Sequence, residues 1–261
     1  MSNLRRLAVT RYVTPLREGG SLPAIVEAED EILYVAKFRG AGQGQRALVA
    51  ELIGGELART LGLRMPELVL LDLDESFHRT EPDQEIQDLL RFSIGLNLGM
   101  AYLPAAITYD PLVGSTDART ASLIVLLDSL ITNIDRTARN TNLLMWENKL
   151  WVIDHGASLY FHHNWPLRER TLGRNFPPIK DHVLLEHATQ LPEAADHLRR
   201  HIDEAELRRI LQLIPDEWLE ENSDEVTPAE RRAGYLDILT DRLTRLEELA
   251  KEADHARTAR I

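Results

Sequence analysis

The sequence predicts an α+β fold in two lobes. An antiparallel N-terminal sheet with one helix occupies residues 1–108, and a mainly helical part carrying a β-hairpin occupies residues 109–261, the two forming one unit. Three observations predict it. Residues 9 to 39 hold three short, β-rich runs joined by polar connections. A long apolar helix follows Thr116. The chain beyond Lys180 then carries helical spacing almost throughout.

In order along the chain, "AVTRYVTPL", "LPAIVEA" and "ILYVAKF" read as strands. "REGG" and "EDE" separate them, short enough for an antiparallel meander. "GAGQG" (Gly40–Gly44) breaks the pattern. Leu48, Val49, Leu52, Ile53, Leu57 and Leu61 then recur at helical spacing, with Gly62 and Pro66 as stop signals. "ELVLLDL" returns as a strand, and "DESFHRTEPDQEIQDLL" is a polar connection that closes in a short helix. "NLGMAYLPAAITYDPL" reads as a strand and then a crossing segment between lobes. "DARTASLIVLLDSLITNI" is a helix apolar on most sides, hence buried. "NLLMW-ENK-LWVID" is a hairpin of two apolar strands about a polar turn, where Trp146 and Trp151 serve packing. Thr227, Pro228 and Glu230 spell a capping box, and Leu236, Leu239, Leu243 and Leu246 give the following helix its packing stripe.

Composition narrows the function. Of 261 residues, 44% are hydrophobic and 28% charged, the balance of a globular chain rather than a disordered one. The formal net charge of −12 repels nucleic acid and anionic lipid, so neither is expected as a partner. There is no cysteine, which excludes disulfides and thiolate zinc sites. The N-terminus lacks an apolar signal core and no run reaches spanning length, so a cytoplasmic location is expected.

Chemistry concentrates between Asn133 and Ser158, "NIDRTARNTNLLMWENKLWVIDHGAS". Asp135, Asn140, Asn142 and Asp154 sit there beside residues of a buried type, a costly arrangement unless something pairs with them. Phosphoryl transfer uses such a set. One carboxylate orients the attacking hydroxyl, while a neutral oxygen and a second carboxylate hold magnesium against the phosphates. Lys37 ends an apolar strand that has little other use for a charge, which makes it a phosphate-clamp candidate. Taken singly, each residue is more simply a turn former. Taken together, Lys37 upstream and Asp154 after a hairpin favour a site. Gly19, Gly20 and Ser21 of "REGGS" would let backbone N–H groups approach phosphate, with "GAGQG" as rival and a plain turn as the alternative for both.

"NIDRTARNTNLL…WVIDHG", together with "YVAKF" and "ALVAELIGGELARTLGLRMPE", resembles the HipA-like kinases, themselves distantly similar to phosphoinositide lipid kinases and protein kinases. The resemblance covers most of residues 9 to 160; beyond them it extends only to being helical. It implies a two-lobed protein-kinase-like fold, with Asp135 as catalytic aspartate and Asn140 and Asp154 as magnesium ligands. It also implies that Lys37 contacts the α- and β-phosphates of ATP. Arg136 occupies the position after the catalytic Asp, where lipid kinases and many compact HipA-like proteins also have Arg. His155 departs from the pattern, standing where many protein kinases have Phe.

The family pairs the strand lysine with a helix glutamate. Glu51 matches that position, whereas Glu56 lies inside the apolar stripe. Asn140 is favoured as metal ligand over Asn142. If the strand begins at Asn142, alternation puts Asn142 on the face of Leu144, where it caps the loop.

The expected function is ATP- and Mg²⁺-dependent phosphoryl transfer to a hydroxyl, that of a protein serine or threonine, with a small-molecule acceptor or a protein regulator compatible. The acidic surface argues against a lipid acceptor. The rival is a catalytically weak nucleotide-binding pseudokinase or a toxin-antitoxin-type interaction module.

Overall fold

A computed structural model of the chain describes residues 4–16, 22–77, 82–114, 116–220 and 226–259. Strands β1 (Arg6–Pro15), β2 (Ala24–Ala28) and β3 (Leu33–Lys37) form the antiparallel meander. The sheet does not stay open, however. With β4 (Leu68–Leu73) and β5 (Gly95–Ala101) it closes into a barrel in the order β1-β2-β3-β5-β4. Closure joins Arg6–Ala8 to Leu70–Asp72 in parallel, so the purely antiparallel expectation is corrected. The reason lies in β1. Its register on β2 shifts between Val9 and Arg11 and again between Tyr12 and Thr14. Such irregularities bend and twist a strand, and its first residues swing onto β4 while the rest stay on β2.

Alternation along these strands fills the barrel with Val9, Val26, Tyr34, Ala36, Val69 and Leu71. Ile86, Leu89 and Leu90 of helix α2 (Gln84–Phe92) complete that core. The Asp83 carboxylate caps α2 by accepting the N–H groups of Glu85 and Ile86. The barrel therefore has two associated helices instead of one.

Helix α1 (Gly44–Thr60) is buried continuously from Leu48 to Ala58. It lies against β5 on one side and against α3 (Ala118–Ile131) and α5 (Glu204–Gln212) on the other. Two adjacent glycines allow this approach. A Cβ at Gly54 would come within 2.5 Å of His155 Cβ, and one at Gly55 within 2.8 Å of Leu68 Cδ1.

Short strand β6 (Ile107–Thr108) pairs with β7 (Leu143–Trp146), which pairs with β8 (Lys149–Val152). Sheet membership thus changes between Ala101 and Ile107. The β7–β8 turn has φ of 50° at Glu147 and 58° at Asn148, the primed geometry that matches strand twist. Helix α3 is buried from Ala121 to Ile131, as an all-round apolar helix requires. Around it pack α4 (Leu191–His201), α6 (Pro228–Thr244) and α7 (Leu246–Thr258). The Thr227–Glu230 capping box opens α6. The leucine stripe then crosses a break at Arg245. Arg242 fixes the end of α3, donating through Nε to the Leu130 carbonyl at 2.7 Å and through Nη2 to Ser129 at 2.6 Å. A cation belongs at a helix C-terminus, and burial lowers the Arg242 pKa to about 10.

Candidate active site

The site begins where β3 ends. Tyr34 and Ala36 point into the barrel, so Leu33, Val35 and Lys37 face the opposite way. On that side Lys37 Nζ lies 2.7 Å from Glu51 Oε2 on α1 and 2.6 Å from Asp154 Oδ1 after β8. Glu51 Oε2 also accepts the backbone N–H of His155 at 2.8 Å. Strand, helix and the loop after the hairpin therefore meet at one ammonium group. The apolar stripe of α1 does not leave Glu51 on an open side. The glutamate is fully buried, facing Lys37 across the packed helix. Glu56 points elsewhere, to Arg59 at 2.9 Å and Arg209 at 3.6 Å.

The loop after α3 brings the second group together. Asp135 Oδ2 accepts Asn140 Nδ2 at 2.7 Å and Asn142 Nδ2 at 3.3 Å. The strand does not begin at Asn142, as the alternation argument supposed. Asn142 has φ of 49° and β7 starts one residue later, so pleat alternation does not assign it a face. Its carbonyl instead accepts the Ile153 N–H at 3.1 Å, which places the base of this loop beside Asp154. Asp154 is itself left-handed, with φ of 57°. Such a backbone costs on the order of 1–3 kcal/mol in a non-glycine residue and is held only by well-determined surroundings.

Behind both groups lies a buried network that the sequence reading missed apart from Arg136. Asp128, in α3, accepts Arg136 Nε at 2.5 Å, His182 Nε2 at 2.9 Å and Asn133 Nδ2 at 3.0 Å. The Arg136 and Asp128 side chains are both fully buried. The available signal was the one charge inside "LIVLLDSLI".

Electrostatics follow from burial and pairing. Burial opposes charge on Glu51, but Lys37 first and then the His155 side chain outweigh it and hold the carboxyl well below its usual range. Burial likewise opposes charge on Lys37, and Asp154 and Glu51 reverse that, raising its pKa. Asp128 is also held low, against burial, by Arg136 and His182. A depressed carboxyl stabilises the fold above its ordinary pKa and loses that contribution as pH falls. Glu51 and Asp128 therefore keep their full contribution at neutral pH and begin to lose it only as pH falls below 4.5 and 3.8 respectively.

His162 acts sooner. Burial drives its pKa well below 6.5, and its Nδ1 lies 3.0 Å from Tyr235 Oη. The unfolded chain takes up a proton below pH 6.5 that the folded chain refuses. The stability of the wild type relative to His162→Gln should fall by up to about 1.4 kcal/mol per pH unit from 6.5 to 5. Thermal or urea unfolding at paired pH values measures this, and a constant difference would mean that the folded state protonates His162 as readily.

Gly19, Gly20 and Ser21 lie outside the described residues. "GAGQG" packs as a turn on α2: the Gly40 N–H donates to Ser93 Oγ at 3.2 Å, and a Cβ at Gly40 would sit 2.7 Å from Phe92 Cβ. Among the described residues no group of three or more His, Asp or Glu could enclose a metal, and no helix is long and apolar enough to cross a membrane.

A strand lysine is thus paired both to a helix glutamate and to the aspartate after the hairpin, and an Asp–Asn loop meets the strand end that carries this aspartate. The chain matches the HipA-like kinase family over residues 9–249 and belongs to it. Its fold is similar to the crystal structure of the Helicobacter pylori proinflammatory kinase CtkA, with a TM-score of 0.53 and 12% identity over 98% of this chain and 97% of that one. The Golgi casein kinase with Mn/ADP bound gives a TM-score of 0.50 and 12% identity over 98% of this chain and 74% of that one. No curated protein matches the chain.

Proposed function

We propose that this kinase transfers the γ-phosphoryl group of ATP, with Mg²⁺, to the hydroxyl of a protein serine or threonine, within a two-lobed kinase fold whose N-lobe is the barrel. One observation carries the reading: Lys37 joins Glu51 to Asp154 while Asn142, bonded to Asp135, abuts the strand end that delivers Asp154. The binding and reacting halves of a phosphotransfer site are then on one wall.

Each residue has a task that its contacts allow. Lys37 has three donors, two of them engaged by Glu51 and Asp154, and the third is free to meet an α- or β-phosphate oxygen. Asp135 gives Oδ2 to the two carboxamides and keeps Oδ1 for the acceptor hydroxyl, whose proton it takes as the oxygen attacks phosphorus and the bond to the β-phosphate oxygen breaks. The donor set suits a hard cation. Asp154 offers a carboxylate oxygen, and Asn140 and Asn142 keep carboxamide oxygens after giving their N–H groups to Asp135. Magnesium is commonly held by one or two protein carboxylates together with phosphates and water, so a closed cage is not required. When bound, it would neutralise charge building on the phosphates. The net charge of −12 disfavours nucleic-acid and anionic-lipid partners, and the reading places the kinase in the cytoplasm.

The two asparagines separate by experiment. Asn140 is exposed, so Asn140→Ala should raise the magnesium requirement about tenfold or more with an unchanged melting temperature. Asn142 is buried and left-handed, so Asn142→Ala should also lower stability by about 1 kcal/mol, which Asn142→Gly restores. Magnesium dependence that shifts only at Asn142 would move the ligand two residues along.

Calorimetry with ATP and magnesium, followed by transfer from labelled ATP to protein and small-molecule acceptors, tests the function. Transfer to serine or threonine is expected. Tight binding without transfer to any acceptor would favour the interaction-module reading, and no nucleotide binding would contradict both.

A further inference from the structure

Asp128 is a lone carboxylate in an apolar helix, and each of its oxygens leads to a different part of the candidate site. Oδ1 accepts Asn133 Nδ2 at 3.0 Å, and Asn133 Oδ1 in turn accepts the backbone N–H of Asp135 at 3.1 Å. Oδ2 accepts Arg136 Nε at 2.5 Å. Arg136 Nη1 then reaches two carbonyls, those of Asn142 and, at 3.0 Å, Ile153. Ile153 immediately precedes Asp154. One branch thus fixes the backbone that carries Asp135, and the other fixes the backbone that carries Asp154.

We propose that Asp128 is a positioning residue which, through Asn133 and Arg136, sets the separation between Asp135 and Asp154. This rests on the phosphotransfer reading above. A guanidinium suits the task because its donors are fixed in one plane, so two carbonyls from separate segments are held at a set spacing. Stability alone is a poor reason for this pair. A buried ion pair is often no better than apolar packing of similar volume, and α3 is apolar on both sides of Asp128. Placement, by contrast, is what transfer requires. An error of about 1 Å at a reacting group lowers rate on the order of 10²-fold. His182 adds a third tie. Its Nε2 donates to Asp128 Oδ2 while its Nδ1 accepts the Leu184 N–H at 3.0 Å, and the Val183 N–H reaches the Arg136 carbonyl at 3.1 Å.

The two branches predict different losses. Arg136→Lys keeps the charge against Asp128 but loses the fork to Asn142 and Ile153. Its affinity for ADP alone should stay within about twofold of wild type, while the tightening of ADP binding by Mn²⁺ should drop about tenfold or more. Asn133→Ala releases the Asp135 backbone. It should keep the Mn²⁺-dependent tightening yet lower kcat by on the order of 10², with KM for ATP nearly unchanged. Calorimetry on the full chain reads the binding arm without needing the acceptor. If Arg136→Lys does not fold, Asn133→Ala decides alone by its split between kcat and metal dependence. Loss of both readouts together in either variant, in step with melting temperature, would reduce the network to a structural one and overturn the proposal. Wild-type behaviour in both variants would overturn it alone. Failure of Mn²⁺ to tighten ADP binding in the wild type would overturn the phosphotransfer reading with it.

Discussion

Asp135→Asn should cut turnover by on the order of 10² or more while ATP affinity stays within a few-fold of wild type. The asparagine can keep an oxygen toward Asn140 and Asn142, so the loop geometry survives. It cannot take the proton of an acceptor hydroxyl. Nucleotide contacts are expected from Lys37 and Asp154, which Asp135 does not touch directly among the described hydrogen bonds. Rate and affinity should therefore part company. A variant that loses ATP binding, or that keeps full turnover, would assign Asp135 another role.

The second large effect concerns Lys37. The sequence alone predicts that Lys37→Met weakens nucleotide engagement or abolishes transfer with the fold intact. The structure changes the second half of that expectation. Glu51 is buried with a side-chain exposure of 1%, and Lys37 is its cationic partner. Removing one member of a buried pair costs about 3–5 kcal/mol. For a chain of this size that lowers the melting temperature by on the order of 10 °C. The double variant Lys37→Met/Glu51→Met removes the stranded carboxylate, so it should recover much of the stability and none of the transfer. Calorimetric melting with a labelled-ATP assay on both variants separates the roles. A single variant as stable as wild type would show that the Lys37–Glu51 pair contributes little, and a double variant that regains transfer would remove both residues from the mechanism.

Much of the site was legible because its parts break local rules. Lys37 is a charge ending an apolar strand, and Asp135, Asn140 and Asp154 are polar residues in apolar company. Asp128 broke the same rule inside "LIVLLDSLI", but an all-round apolar helix hides the direction in which one carboxylate points. His182 could not be found from spacing, since it arrives at Asp128 from an irregular segment far along the chain. The paired Gly54 and Gly55 within a helix pattern were not read as a close approach, and nothing local says that His155 and Leu68 are what approach. Barrel closure was invisible for a similar reason. It depends on irregular register in β1, where no glycine marks the bend, and on pairing between residues more than sixty positions apart. The conformation of Asn142 depends in turn on the carbonyl it must present to Arg136 and Ile153.

A structure of the chain with magnesium and a non-hydrolysable ATP analogue tests the central claim most directly. Lys37 Nζ should lie on an α- or β-phosphate oxygen, and Asp154 and an asparagine carboxamide should share a metal. The γ-phosphate should lie within reach of a hydroxyl held by Asp135. Phosphates bound away from Lys37, or a metal that ignores Asp154, would contradict it.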